Sequence, residues 1–179
     1  EMVIAGQGTA GLEIAAQAAE LGITNAQVLV CCGGGGLTSG IATALAADAP
    51  EMRVCPVEPF GFEDTMRSLA SGSIQRNTRT SGSICDAIVT PSPGNLTFPI
   101  LKDLCPRGYA VTDDQALMAV KLAFQRLKIV VEPGGAVALA AALFHGDQLT
   151  NDTVIAVASG GNIDDAMFKR ALDMNVSDL

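Results

Sequence analysis

Basic residues are scarce in this chain of 179 residues: eleven lysines and arginines stand against nineteen aspartates and glutamates, a formal net charge of −8. The acidic excess runs along the chain rather than in a tail. Such a balance repels a phosphate backbone, so no nucleic-acid partner is expected. Histidine is nearly missing: His145 stands alone, with no second imidazole to share a zinc ion. The five cysteines are odd in number and lack metal-ligand spacing, and Cys31 and Cys32 are vicinal inside an apolar run. That usage predicts reduced thiols in a cytoplasmic protein and excludes a disulfide scaffold or a zinc module. No apolar run reaches the ~18 residues of a membrane span, and no charged start with an apolar core resembles a signal peptide, so no membrane contact is expected. What is there is 49% apolar and 17% charged. The length suits one domain, or a large piece of a two-domain protein, able to bury ~70% of the surface of its unfolded chain.

The pattern along the chain predicts an alternating α/β fold. Met2-Val3-Ile4-Ala5 reads as a short buried strand, followed by Gly6-Gln7-Gly8-Thr9-Ala10-Gly11 and an alanine-rich helix that stops at Gly22. A protein seldom opens inside a core strand, where an unsupported edge is a liability. With Glu1 in place of an initiator methionine, the chain is therefore expected to be the C-terminal part of a longer protein. Residues 27–32 form a second apolar strand that runs into four consecutive glycines and a helix over 37–47. Residues 52–57 form a third, ending at Glu58-Pro59 before a helix over 62–70. Such runs separated by crossover helices describe a parallel sheet buried on both faces. Residues 71–111, rich in Ser, Thr, Pro and Gly, read as a linker or as loops crossing a domain boundary, with a helix-like segment around Lys102. Thr112-Asp113-Asp114-Gln115 fits a capping box, and Ala116, Leu117, Val120, Ala123, Phe124 and Leu127 follow at helical spacing. Pro133-Gly134-Gly135 opens a small-residue helix to about Phe144, residues 154–158 form a last strand, and a helix spans about 164–172.

Two glycine loops invite a ligand. Gly6, Gly8 and Gly11 satisfy the dinucleotide fingerprint, but the next strand ends in Val30-Cys31-Cys32 without the acidic residue that holds a ribose hydroxyl. Close packing of strand against helix is the preferred reading of these glycines. Gly33, Gly34, Gly35 and Gly36 are different. Four residues without Cβ let successive N–H groups converge, and the helix starting near Leu37 adds its positive end, so the loop can hold a phosphate with no lysine or arginine. Glu58, the carbonyl of Phe62 and Asp64 lie within seven residues at the end of a strand, offering oxygen ligands to Mg²⁺ or Ca²⁺. The alternative is that Asp64 only supports a helix N-terminus.

Seven blocks occur in the order found in the serine/threonine dehydratase and serine racemase family, which the chain resembles along nearly its whole length. They are Val3-Ile4-Ala5-Gly6-Gln7-Gly8-Thr9, the tetraglycine with Leu37, Val57-Glu58-Pro59, Asp86-Ala87, Leu96-Thr97-Phe98-Pro99, Val131-Glu132-Pro133 and Ser159-Gly160-Gly161-Asn162. The resemblance implies a three-layer, tryptophan-synthase-β-like core of fold type II, mostly the large cofactor-binding domain, with no regulatory domain. It implies pyridoxal 5'-phosphate as cofactor, a small hydroxy amino acid as substrate, and a homodimer. Gly33, Gly34, Gly35, Gly36 and Leu37 would bind the cofactor phosphate, Ser159 would hydrogen-bond the pyridine nitrogen, and Glu132 would lie near the ring. Asn162 would help hold the loop behind Ser159. If the chain follows the racemase-like members, Glu58, the carbonyl of Phe62 and Asp64 would bind a divalent cation.

One departure limits what the chain can do by itself. The family holds its cofactor on a lysine in a motif that precedes the first block, and Lys102, Lys121, Lys128 and Lys169 do not stand in that motif. No catalytic residue is therefore expected in this chain, which would be inactive without the missing N-terminal portion. The whole enzyme would remove water and ammonia from threonine or serine, giving a keto acid. Serine racemisation, hydroxyaspartate dehydration, or a non-catalytic subunit binding some other phosphate ligand are the alternatives.

Overall fold

Gln27-Val28-Leu29-Val30-Cys31 has no polar residue after the first, and it forms β1 (Gln27–Cys31), a strand buried at every position. In the computed structural model, which describes residues 1–175, β1 is an inner strand of a parallel sheet. With β2 (Arg53–Pro59), β3 (Tyr109–Val111) and β4 (Val154–Ala156) the order is β3-β2-β1-β4. Leu29 pairs with Cys55 on one side and with Ala156 on the other, and Val57 pairs with Tyr109. Alternation sends the side chains to opposite faces. Val28, Val30 and Val54 pack on one side, with α1 (Met2–Glu20), α2 (Gly36–Asp48) and α4 (Thr97–Leu104). Leu29, Cys31, Cys55 and Val57 pack on the other, with α5 (Asp113–Leu122), α6 (Pro133–Phe144) and α7 (Asp165–Asp173). Helix, sheet and helix make the three layers expected, and α3 (Asp64–Ser71) lies beyond the end of β2.

The expected first strand does not form. Residues 2–5 are the first turn of α1, a single helix of 19 residues. Four apolar residues fit either structure, and no neighbouring strand offers them a ladder, whereas the alanines that follow favour helix. Gly6, Gly8 and Gly11 therefore lie inside a helix, not between a strand and a helix, and they belong to a helix contact. A Cβ on Gly40 of α2 would stand 2.5 Å from the Ile4 carbonyl oxygen and 2.7 Å from the Gly8 nitrogen, and one on Gly11 would stand 2.8 Å from the Ala44 Cβ. Small residues on both helices bring their backbones together.

Two further expectations are corrected. The helix after Thr112 has its capping box, with Gln115 N–H donating to the Thr112 hydroxyl at 3.2 Å. It does not run to Leu127 as one apolar stripe: α5 ends at Leu122 and a π-turn spans Ala123–Leu127, closed by Lys128 at φ 61°. The wider turn rotates Leu127 away from the core to 58% exposure, and Phe124 rests edge-on against Phe168 at 5.3 Å between ring centres. Segment 71–111 is loops for most of its length, with α4 at the helix-like segment expected around Lys102, yet it also contributes the edge strand β3. A strand of three residues is too short for alternation to announce it.

Candidate active site

Ligands of open parallel sheets sit beyond the carboxyl ends of the strands, and the glycine turn, Glu58 and Ser159 follow the ends of β1, β2 and β4. Beyond β1 the chain turns through Gly33 and Gly34 into Gly35, which caps α2 at φ 86°, in the left-handed region. Only glycine fits this turn: a Cβ on Gly35 would meet the Leu101 side chain at 2.8 Å and the Thr97 hydroxyl at 2.9 Å. Thr97 in turn fixes the loop, its hydroxyl donating to the Gly34 carbonyl at 2.6 Å, and Gly94 N–H donates to the same oxygen at 3.1 Å. With the carbonyl tied back, the amides are left over. None of the amides of Gly33, Gly34, Gly35, Gly36 and Leu37 has an acceptor among the described residues. Gly34 is exposed, and its Cβ position is open for 4 Å around. An exposed turn of unpaired amides at a helix N-terminus is chemically suited to an anion.

Beside this turn, the chain leaving β4 reaches Ser159, an exposed residue whose hydroxyl lies 2.9 Å from the Cys31 sulfur. Burial pushes the Cys31 thiol above its ordinary range, and the nearby Glu132 carboxylate adds to the rise. The Ser159 loop is locked onto the start of α6 by missing side chains. A Cβ on Gly135 would lie 2.7 Å from both N and O of Gly160, and Glu132 N–H donates to the Gly160 carbonyl at 2.9 Å. The Glu132 side chain lies against Gly160. Glu132, Asn162 and Asp86 line one cleft of about 190 Å³. The β1 end thus joins the glycine turn to Ser159 through Cys31, and Glu132 stands next to that junction.

The third group lies at the end of β2. Glu58 is 1% exposed, and its two oxygens accept the N–H groups of Thr65 (2.8 Å) and Met66 (2.7 Å) in the first turn of α3. Burial, with the Asp64 charge second, pushes the Glu58 carboxyl up to about 8. Asp64, also 1% exposed, is pushed up to about 6 by burial. One Asp64 oxygen accepts from the Asn77 amide, and the other, Oδ2, is buried with no partner. The same Asn77 amide donates to the Phe62 carbonyl (3.3 Å) and the Thr90 carbonyl (2.8 Å). Two protons thus serve three oxygens. Among the described residues no group of three His, Cys, Asp or Glu is placed to hold a metal, so a cation here would need the Phe62 carbonyl beside the two carboxylates.

Residues 1–160 match the family described as pyridoxal-phosphate dependent enzyme. The chain belongs to this family. The glycine turn and the Ser159 hydroxyl fit such a cofactor, the first as an anion cradle and the second as a neutral partner for a ring nitrogen. Among its relatives, the chain is 40% identical to a serine racemase of Dictyostelium discoideum over 96% of its own length and 52% of the racemase. It is 37% identical to an L-threonine ammonia-lyase of Geobacter sulfurreducens over 91% of its length and 39% of that enzyme. A solved T.th. threonine deaminase superposes with a TM-score of 0.85 at 45% identity, covering 90% of the chain and 58% of that structure. The chain thus spans about half the length of the relatives it matches.

Within this family member the four lysines have partners away from the glycine turn. Lys102 donates to the Gly72 carbonyl at 3.0 Å, Lys121 to the Met174 carbonyl, Lys128 to Gln125, and Lys169 pairs with Asp173 at 2.6 Å. Sequence reading missed two functional neighbours: Thr97, which ties back the cradle carbonyl, and Asn77, which bridges Phe62 and Asp64. Thr97 lay in a recognised block and could have been found. Asn77, in a polar loop thirteen residues from Asp64, carries no local signal.

Proposed function

We propose that this chain is the cofactor-holding part of a dehydratase acting on small hydroxy amino acids, which yields a keto acid and ammonia. The junction of the glycine turn with Ser159 at the ends of adjacent strands carries the reading, and the similarity to a threonine ammonia-lyase and a threonine deaminase favours it. Bound pyridoxal phosphate supplies the electron sink that acidifies the α-proton of an amino acid. The amides of Gly33, Gly34, Gly35, Gly36 and Leu37 would hold its phosphate, with the dipole of α2 behind them. Ser159 would donate to the ring nitrogen; a neutral hydroxyl cannot keep that nitrogen protonated, which moderates the sink and favours loss of the β-hydroxyl. Glu132 would flank the ring, and Asn162 would steady the Ser159 loop. The lysine that carries the cofactor and the loop that grips the substrate would come from a part of the whole protein outside this chain. The similarity to the serine racemase favours a second reading, in which the same residues serve racemisation. Measuring 2-oxobutanoate, pyruvate, oxaloacetate and D-serine made by the whole protein separates the readings. A keto acid from threonine or serine is expected as the main product; D-serine in excess over pyruvate would favour racemisation, and no product from threonine, serine or hydroxyaspartate would reject both.

We also propose a divalent cation, Mg²⁺ or Ca²⁺, held by Glu58, Asp64 and the Phe62 carbonyl, because the unpartnered Asp64 Oδ2 faces no protein donor. Both carboxyls sit above their ordinary ranges, so the native state binds more protons than the unfolded chain. Cation-free protein should be most stable near the ordinary carboxyl range and lose stability as pH rises from about 4.5 to about 8. Cation should therefore raise the melting temperature more at about pH 8 than at about pH 5, by about 2.7 kcal/mol of stability at a hundredfold excess over Kd. Asp64→Ala should reduce the pH dependence, leaving the part that burial of Glu58 causes, and remove the cation response. Equal cation shifts in the two proteins would reject the site.

A further inference from the structure

We propose that Cys31 is a positioning residue that turns the proton of the Ser159 hydroxyl outward, toward the cofactor ring nitrogen. The inference rests on the reading of Ser159 given above. The two side chains are 2.9 Å apart and either could be the donor. A serine hydroxyl has one proton and two lone pairs, and a thiol has one proton. Only one of the two protons can lie between sulfur and oxygen. If Ser159 gives its proton to sulfur, it keeps none for a ring nitrogen. If Cys31 gives its proton to oxygen, the serine proton stays free and the serine oxygen is held in place.

The surroundings choose between these arrangements. Cys31 is 5% exposed, and its side chain belongs to the apolar cluster of Leu29, Val57, Val131 and Val137. Ser159 Oγ is its one hydrogen-bond partner among the described side chains. A thiol proton turned any other way would be buried without an acceptor. Ser159 is exposed beyond the strand ends and can direct its proton into open space. The donor arrangement Cys31 to Ser159 satisfies both groups; the reverse satisfies one. Burial keeps the thiol protonated at neutral pH, so the donor is always present. Because Cys31 also ends β1 two residues before Gly33, one rigid strand end sets both the phosphate cradle and the direction of the ring partner.

The test uses whole apoprotein reconstituted with pyridoxal phosphate labelled with ¹⁵N in the ring, in wild type, Cys31→Ala, Ser159→Ala and the double variant. Cys31→Ala is expected to weaken cofactor binding about fivefold when Ser159 is present and less than about twofold when it is not. It should also move the ring ¹⁵N resonance in the direction that Ser159→Ala moves it. Cys31→Ser, which keeps a donor at this position, should bring affinity and resonance back to wild type. Equal losses in both backgrounds, or an unmoved resonance in Cys31→Ala, would reduce Cys31 to packing and overturn the inference while leaving Ser159 in place. An unmoved resonance in Ser159→Ala would overturn the role of Ser159 itself, and this inference with it.

Discussion

Gly34→Val is expected to weaken pyridoxal phosphate binding by the whole protein by more than about a hundredfold while moving the melting temperature by only about 2 °C. The two effects separate because of where Gly34 stands. It is exposed, its φ is not in the left-handed region, and a Cβ there meets nothing within 4 Å. The fold therefore has room for a branched side chain. The cradle does not, because a phosphate held by amides must approach the backbone closely, and losing two charge-assisted hydrogen bonds of roughly 1.5–3 kcal/mol each accounts for the expected factor. Gly35→Val is the contrast. It would press on Leu101 and Thr97 at a φ of 86° and should lose stability as well as affinity. Equilibrium dialysis of cofactor and a thermal melt of the two variants suffice. Affinity of Gly34→Val within about twofold of wild type would leave the tetraglycine as a turn and nothing more.

Gly40→Val should be strongly damaging although it lies outside the site, lowering stability by about 3 kcal/mol or more. Its Cβ would meet the Ile4 carbonyl oxygen at 2.5 Å, the Gly8 nitrogen at 2.7 Å and the Gln7 carbonyl carbon at 2.9 Å. All three are backbone atoms of α1, so no side chain can swing aside and the whole helix must move off α2. Gly6→Ala is the control: a Cβ there meets nothing, and alanine favours helix by about 0.5–1 kcal/mol, so that variant should hold or gain stability. Urea unfolding monitored by circular dichroism gives both numbers. A Gly40→Val midpoint equal to wild type would mean that the α1–α2 contact is looser than the structure has it.

These two glycines mark how far the residues alone could be read. Around Gly34 the information is local: an apolar run that can only be a buried strand, four residues without Cβ, and a small-residue helix directly after them. Strand, turn and helix follow from neighbours in the chain, as does the capping box of Thr112 and Gln115, whose partners are three residues apart. Glu58 and Asp64 were visible as carboxylates within seven residues, but not that two amides of α3 would take up both Glu58 oxygens.

Around Gly40 the information is distant. Residues 2–5 read as a strand and fold as helix, and what decides is that Gly8 and Gly11 meet α2, about thirty residues on. The same holds for the π-turn at Ala123–Leu127, where an unbroken helical period gave no warning of the wider turn. It holds too for Asn77, whose amide joins Phe62, Asp64 and Thr90 across a loop. Cys31 and Ser159 are the furthest case, 128 residues apart and 2.9 Å across. The amino-acid order by itself determined the two central strands and the amide turn, because short-range sterics and hydrophobic period leave those segments one option, and its ordered blocks carried the resemblance to the family. Helix against strand at the start, the tie on Gly34 and the thiol beside Ser159 were decided only when the sheet brought separate segments together, since each depends on which atoms lie within about 3–4 Å, and hydrogen bonds and close packing act over no longer range.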